Sequence, residues 1–156
     1  MEINYNKLAV YVIATALIVT ISIVFYTSMG NNSNKIITED DSAKAVREYF
    51  NAWDKKDYGK MYQLISDGFK DNETTAKNFL IYKTYMNSQD VNRVRTIELM
   101  LIDKEDSVAR IEYSIELISK KGLITPLNEE FTLKYFPNST IPGWKLIHPY
   151  GNFVDN

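Results

Sequence analysis

The sequence contains no cysteine, and that absence alone excludes several kinds of chemistry. Disulfide bridges, thiolate metal sites, cysteine nucleophiles and a lipidated N-terminal cysteine all require the thiol. Histidine is also scarce, with His148 as the single residue in a chain of 156. The acidic cluster at Asp103, Glu105 and Asp106 offers too few oxygen ligands, in too short a frame, for a calcium loop. We therefore expect no metal ion and no cofactor.

The sequence also lacks an excess of positive charge. Lysine and arginine number 18 against 20 aspartate and glutamate residues, which gives a formal net charge of −2. Nucleic-acid binding needs a basic stripe that neutralises phosphates, and none of the helices predicted below carries one. We therefore expect no nucleic-acid partner.

Charge is missing altogether from Leu8 to Tyr26, which reads LAVYVIATALIVTISIVFY between Lys7 and Lys35. As a helix rising ~1.5 Å per residue, this stretch would span roughly 28 Å, close to the ~30 Å hydrocarbon core of a bilayer. The sequence therefore predicts a transmembrane anchor over residues 1–28, with residues 8–26 in contact with the lipid bilayer.

The orientation of that anchor is weakly specified, because Lys7 precedes the span and Lys35 and Lys44 follow within about 20 residues. The tail resembles a secretory signal, but the apolar run exceeds the ~7–15 residues of a usual signal core. An uncleaved signal-anchor with an extracytoplasmic C-terminal domain is favoured. Cleavage near Ser28-Met29-Gly30 and the reverse topology remain alternatives. Residues 29–37 form a polar linker, and 38–156 the globular domain.

The predicted domain begins with apolar residues at helical spacing. Val46, Tyr49, Phe50 and Trp53 recur on one apolar face, and Thr38 with Asp41 has the spacing of a capping box. Ser66-Asp67-Gly68 predicts a turn, and Asp71 or Asn72 a later helix cap. The predicted helices run from Thr38 to about Lys55, from Tyr58 to about Ile65, and from about Glu73 to Met86.

From about Asn92 the period changes to two, which indicates strands with one buried and one exposed face. The predicted strands are Val94–Ile102, Val108–Ile118, Leu127–Phe136 and Trp144–His148. Helices followed by strands predict an α+β fold with three helices packed on a curved antiparallel sheet of about four strands. We expect no carboxylate among its inward-facing residues, which are Ile97, Leu99, Leu101, Ala109, Ile111, Tyr113, Ile115, Leu117, Phe131, Leu133, Tyr135, Trp144, Leu146 and His148.

Two segments resemble a known superfamily. AVREYFNAWDKKDYGKMYQLIS, from Ala45 to Ser66, resembles the opening helices of nuclear-transport-factor-two-like domains, and GWKL, from Gly143 to Leu146, resembles their last strand. The resemblance covers about residues 40–150 and implies a cone of helices and curved sheet, as in cystatin-like α+β folds. Members include isomerases, dehydratases and non-catalytic extracytoplasmic modules, such as N-terminal extensions of some penicillin-binding proteins. An anchor directly before the domain resembles the non-catalytic type, and no catalytic residue can be carried over by motif.

Three groups of side chains are candidates for function. His148 could act as a general base, or it could end a core strand with its ring hydrogen-bonded. Tyr82 and Tyr85 lie partly off the apolar face of the third predicted helix and could form an exposed docking patch. The residues expected on the buried face of that helix are Ala76, Phe79, Leu80 and Met86. The candidate ligand-binding residues could line an apolar pocket, although aromatic stripes at helical spacing usually belong to the core; they are Tyr49, Trp53, Tyr62, Tyr113 and His148.

These observations predict a single-span membrane protein whose extracytoplasmic domain binds or assembles with another membrane or envelope protein and has no catalytic activity. One alternative is a small isomerase or hydrolase of the same fold that uses His148. Another is a carrier of apolar ligands at the membrane surface.

Overall fold

The computed structural model describes residues 40–147, and the predicted anchor, the linker and His148 lie outside this range. Within it, the elements are α1 (Asp41–Asp54), α2 (Tyr58–Gln63), α3 (Asp67–Asn72), α4 (Phe79–Ser88), β1 (Arg93–Glu105), β2 (Val108–Ile118), β3 (Ile124–Phe136) and β4 (Gly143–Leu146). The predicted α+β class, with helices before an antiparallel sheet of four strands, is confirmed, but the described residues contain four helices where three were predicted. None of the helices in the described range is long and apolar enough to cross a membrane.

The four strands form an antiparallel sheet in chain order, β1-β2-β3-β4. Strand β2 is paired along its whole length with both β1 and β3. Its alternation places Ala109, Ile111, Tyr113 and Ile115 on one face, each at most 5% exposed, as the sequence predicts. This face is called the inner face below, because helix α1 packs against it through Val46 and Phe50. The core of the domain therefore lies between α1 and the middle of the sheet.

The loop after α2 attaches the helical layer to the last strand. Ile65 forms a parallel bridge with Leu146 of β4, the Leu146 amide donates to the Leu64 carbonyl at 2.8 Å, and the Ser66 amide donates to the Leu146 carbonyl at 2.9 Å. Ile65 and Leu146 are 1% and 2% exposed. These backbone bonds fix α2 relative to the inner face of the sheet.

The helix boundaries after residue 65 differ from the prediction. Ser66 caps α3, because its Oγ accepts a hydrogen bond from the Phe69 amide at 2.9 Å, so Ser66-Asp67-Gly68 begins a helix and does not end one. The predicted start of the third helix at Glu73 is also wrong, although residues 79–86 of that prediction are helical. The Glu73 carboxylate accepts from the Thr75 amide and hydroxyl, a local pairing that competes with helix formation. Asn78 caps α4 instead, and its Oδ1 accepts from the Ile81 amide at 3.0 Å.

The first strand contains two irregularities that the alternation of its sequence does not reveal. The pairing register of β1 with β2 shifts between Thr96 and Glu98 and again between Leu101 and Asp103. Ile97 falls at the first shift and is 55% exposed, so its predicted inward position is wrong. Bulges of this kind insert an extra residue, and the residues beyond the bulge change to the other face of the strand.

Tyr135 is also predicted to face inward but is 40% exposed. It lies near the end of β3, where it pairs with Trp144 of the short strand β4.

The start of α1 lies two residues after the predicted cap, at Asp40 instead of Thr38. Asp40 Oδ1 accepts from the Ser42 amide at 2.9 Å, and Oδ2 pairs with Lys104 Nζ at 2.7 Å. Partial burial opposes ionisation of Asp40, but the hydrogen bonds from Lys104 and Ser42 outweigh it and lower its pKa from 3.8 to about 2. The carboxylate therefore joins the helix start to the β1–β2 end of the sheet.

We predict that Asp40 makes the domain sensitive to strong acid. Because its pKa is lower in the folded than in the unfolded chain, its contribution is complete above pH ~4 and is lost as the pH falls through about 2. Asp40→Asn keeps the capping oxygen and should cost up to ~1 kcal/mol at pH 7, while Asp40→Ala also loses the cap, for about 1–2 kcal/mol in total. Urea unfolding at pH 7 and near pH 2 measures both. If Asp40→Asn costs the same at both pH values, the prediction is contradicted.

Candidate functional site

An aromatic cluster occupies the centre of the inner face. The ring of Phe50 lies 4.9 Å from Tyr113 and stacks on Phe131 at 5.7 Å between centroids, while Tyr113 and Phe131 are 4.6 Å apart. Tyr49 meets the edges of Phe50 and Phe131 at 5.7 and 5.8 Å. Phe50 is 1% and Tyr113 5% exposed. Side chains therefore fill the centre of this face, and Tyr49 and Tyr113 belong to the packed core.

Two hydrogen bonds that involve tyrosine hydroxyls lie beside this cluster. The hydroxyl oxygens of Tyr49 and Tyr82 are 3.0 Å apart, and the Tyr113 hydroxyl donates to Glu129 Oε2 at 3.1 Å. Burial raises the pKa of Tyr49 to about 12. Burial, followed by the negative charge of Glu129, raises the pKa of Tyr113 well above its usual value. Both phenols are therefore neutral and able to donate hydrogen bonds at physiological pH.

Glu129 corrects the expectation that the inner face has no carboxylate. It is paired directly across the sheet with Tyr113, which places both residues on the same face. The signal was present in the sequence, because residues 129, 131 and 133 share one face of an alternating strand. Glu129 is half-buried, and its carboxylate can accept a hydrogen bond or a proton from a group beside Tyr113. His148 lies outside the described residues, so its predicted role as a base stays a prediction.

The other predicted ligand residues lie on different parts of the helical layer. Tyr62 of α2 contacts the rings of Phe79 at 5.8 Å and Tyr82 at 5.4 Å, and Lys70 Nζ lies 4.9 Å from its centroid. Trp53 is half-buried, and its indole Nε1 has no hydrogen-bond partner among residues 40–147. The structure therefore links Tyr49, Tyr62 and Tyr82 through contacts between their side chains, and Trp53 packs against the same buried core.

The predicted docking pair separates into one buried and one exposed residue. Tyr82 is 4% exposed, so its predicted exposure is wrong, whereas Tyr85 is 43% exposed. Three large apolar side chains precede them on α4 and are also exposed: Phe79 at 43%, Leu80 at 72% and Ile81 at 42%. An apolar surface therefore exists on α4, and the predicted place of Phe79 and Leu80 on the buried face of this helix is wrong, because Tyr82 and Met86 form its packed side.

A groove of about 320 Å³ lies where α1 and α2 face the β3–β4 loop. Its aromatic residues are Tyr135 and Trp144, whose rings are 5.6 Å apart. Four of its charged residues form two ion pairs, Lys44 with Asp41 at 2.8 Å and Lys60 with Glu48 at 3.0 Å. The sequence did not indicate this groove, because its lining comes from segments almost a hundred residues apart.

The part of the chain that the structure describes contains no cluster of metal-ligating side chains. Among residues 40–147, no group of three histidine or carboxylate side chains is placed to hold a metal ion.

The arrangement of helices and sheet is similar to that of several solved structures. These include an NTF-2 like protein of unknown function from Shewanella oneidensis MR-1, with a TM-score of 0.54, 11% identity and coverage of 71% of this chain and 96% of that one. A ketosteroid isomerase-like protein from Erwinia carotovora atroseptica SCRI1043 has a TM-score of 0.50 and 16% identity, covering 68% and 88%. Identities this low show the fold alone.

A third similar structure is a SEC-C motif containing protein from Psychrobacter arcticus, with a TM-score of 0.52 and 12% identity, covering 76% of this chain. The chain spans 64% of the length of that protein. The family model MecA_N, described as an NTF2-like N-terminal transpeptidase domain, matches residues 41–138, which is more than half of the chain. The chain therefore belongs to this family, and the predicted superfamily is confirmed. No curated protein gave a significant match.

Proposed function

We propose that the chain is a membrane-tethered extracytoplasmic module that binds or assembles with another membrane or envelope protein and does not catalyse a reaction. The observation that carries this proposal is the filled inner face. An enzyme needs space there for a substrate, whereas Phe50, Tyr113 and Ile111 are 1%, 5% and 0% exposed. The family description, an N-terminal transpeptidase domain, supports a domain that accompanies a catalytic one.

The tether is proposed from the sequence. The uncharged residues 8–26 precede the family match at residue 41 by only a short polar segment. A span of this length and composition supports a helix across the bilayer. A domain held in this way meets its partners close to the membrane surface, where even modest affinities give substantial occupancy.

One observation favours a second function, a small enzyme. Glu129 accepts a hydrogen bond from the neutral phenol of Tyr113, and a carboxylate beside a phenol can transfer a proton to or from a bound substrate. This pair lies at the side of the aromatic cluster, where Glu129 is half-buried. In the enzyme alternative, Glu129 takes the place of the acid that His148 otherwise lacks. The carrier alternative is weakened by the same filling of the inner face by rings.

A complementation experiment separates the module from the enzyme. The experiment uses a strain that lacks the gene. We expect full-length Glu129→Gln and His148→Ala chains to restore the wild-type phenotype in this strain as well as the unchanged chain does. Glutamine keeps an oxygen that can accept from Tyr113, so the fold is retained while proton transfer is lost.

Glu130→Gln is the matched control, because Glu130 neighbours Glu129 on the opposite, exposed face of β3. The amounts of protein in the membrane are compared by immunoblot. If Glu129→Gln or His148→Ala fails at a normal protein level while Glu130→Gln succeeds, the non-catalytic proposal is wrong.

A further inference from the structure

Helix α4 exposes an unusual amount of apolar surface. Of its ten residues, Tyr82 and Met86 are buried, at 4% and 6% exposure. Phe79, Leu80, Ile81 and Tyr85 are exposed, and we call these four residues the α4 patch. Single exposed apolar residues are ordinary, but four large ones within seven residues of one helix are a concentration of the kind that marks an interaction site.

The α4 patch is held on a fixed support. The Asn78 cap sets the start of the helix. Below it, Tyr82 reaches Tyr49 of α1 through its hydroxyl, and Tyr62 of α2 contacts the rings of Phe79 and Tyr82. These contacts hold the buried side of the helix against α1 and α2. The opposite side is therefore presented to the surroundings without needing a rearrangement of the domain.

We propose that the α4 patch inserts into the headgroup region of the membrane that holds the chain. This rests on the proposed tether. Phenylalanine, leucine, isoleucine and tyrosine beside lysine are the composition of helices that lie in a membrane interface. Lys77 and Lys83, both exposed, flank the patch and suit anionic headgroups.

The length of chain before the described domain allows this contact. Residues 27–39 separate the apolar span from Asp40, and 13 residues extend to at most about 45 Å. A domain of this size is about 35 Å across. The tether can therefore bring any face of the domain to the bilayer, and the high local concentration of lipid compensates for the small area of the patch.

The absence of cysteine makes a site-specific test direct. The full chain with Leu80→Cys carries an environment-sensitive fluorophore and is reconstituted in vesicles of phosphatidylcholine with a minority of phosphatidylglycerol. Asn128→Cys, at an exposed position on the opposite face of the sheet, is the matched control. We expect a blue-shifted emission at position 80 that a quencher on the lipid chains reduces about twofold. We expect no such change at position 128.

Flotation of the vesicles distinguishes the two proposals. If the chain does not float with the vesicles, the tether fails and the proposed function fails with it. If the chain floats but the lipid quencher affects positions 80 and 128 equally, the membrane contact of the patch is overturned while the tether stands. A blue shift at position 80 without lipid quenching means that protein covers the patch, and this also overturns the lipid assignment.

Charge reversal provides a second arm. Lys77→Glu with Lys83→Glu leaves the apolar residues in place and should remove about half or more of the quenching at position 80 in vesicles that contain phosphatidylglycerol. Quenching that is unchanged by this double substitution would overturn the role of anionic headgroups.

Discussion

Replacing Phe50 by alanine should reduce the free energy of unfolding by about 3–5 kcal/mol, the range typical of a buried phenylalanine. Phe50 is 1% exposed and contacts Tyr49, Tyr113 and Phe131, so its removal leaves a cavity between α1 and the sheet. Tyr113 and Phe131 lie on the paired strands β2 and β3, whose backbone hydrogen bonds restrict how far these rings can shift to fill it. Urea unfolding of the full chain in detergent, followed by near-ultraviolet circular dichroism, measures the loss.

Phe79→Ala is the matched control for this prediction. It removes the same atoms from a residue that is 43% exposed, and the expected loss is below about 1 kcal/mol. Similar losses for the two variants would show that the cluster around Phe50 is not the centre of the core.

Replacing Tyr49 by phenylalanine should cost about 1–3 kcal/mol, because it leaves the Tyr82 hydroxyl buried without its partner. The double variant with Tyr82→Phe removes both hydroxyls and should cost less than the sum of the two single variants. Burial raises the pKa of Tyr49 to about 12. The stability contributed by the buried, neutral Tyr49 phenol is therefore complete below pH ~10, the pKa of tyrosine in the unfolded chain, and is lost as the pH rises through about 12.

Tyr85→Phe tests whether this cost comes from the pair. Tyr85 lies on the same helix as Tyr82 but is 43% exposed, and we expect a change of less than about 0.5 kcal/mol. Strict additivity of the Tyr49 and Tyr82 substitutions would contradict a direct hydrogen bond between them.

The prediction from the sequence was most accurate where the periodic pattern of apolar residues was strongest. Strand β2 has the bounds that its alternation predicted, because one face is buried along most of its length and a shift by one residue would expose every core side chain. The apolar face of α1 was correct for the same reason. Helix α3 was not predicted and the start of α4 was misplaced, because the position of a short helix depends on which of several capping residues is used. Here Ser66 and Asn78 prevail over Asp71 and Asn72.

The candidate site was predicted only in part. The inward position of Tyr113 followed from alternation, but its partner Glu129 depends on the register of β3 against β2. The turn between these strands sets that register, where Gly122 has a positive φ of 80° and Ser119 Oγ accepts from the amides of Lys121 and Leu123. The exposed side of α4 was misjudged for another reason. Tyr82 is buried by its contacts with Tyr49 and Tyr62, which lie on other helices.

The two register shifts in β1 have a consequence for contacts between copies of the domain. β1 is a terminal strand of the sheet formed by residues 93–146, and an open strand of this kind can pair with a strand of another chain. The shifts interrupt the regular row of amides and carbonyls, and Arg93 and Arg95 are held in ion pairs with Asp54 and Glu116. A second copy therefore finds no long, uniform template to extend, and edge-to-edge pairing along β1 is disfavoured.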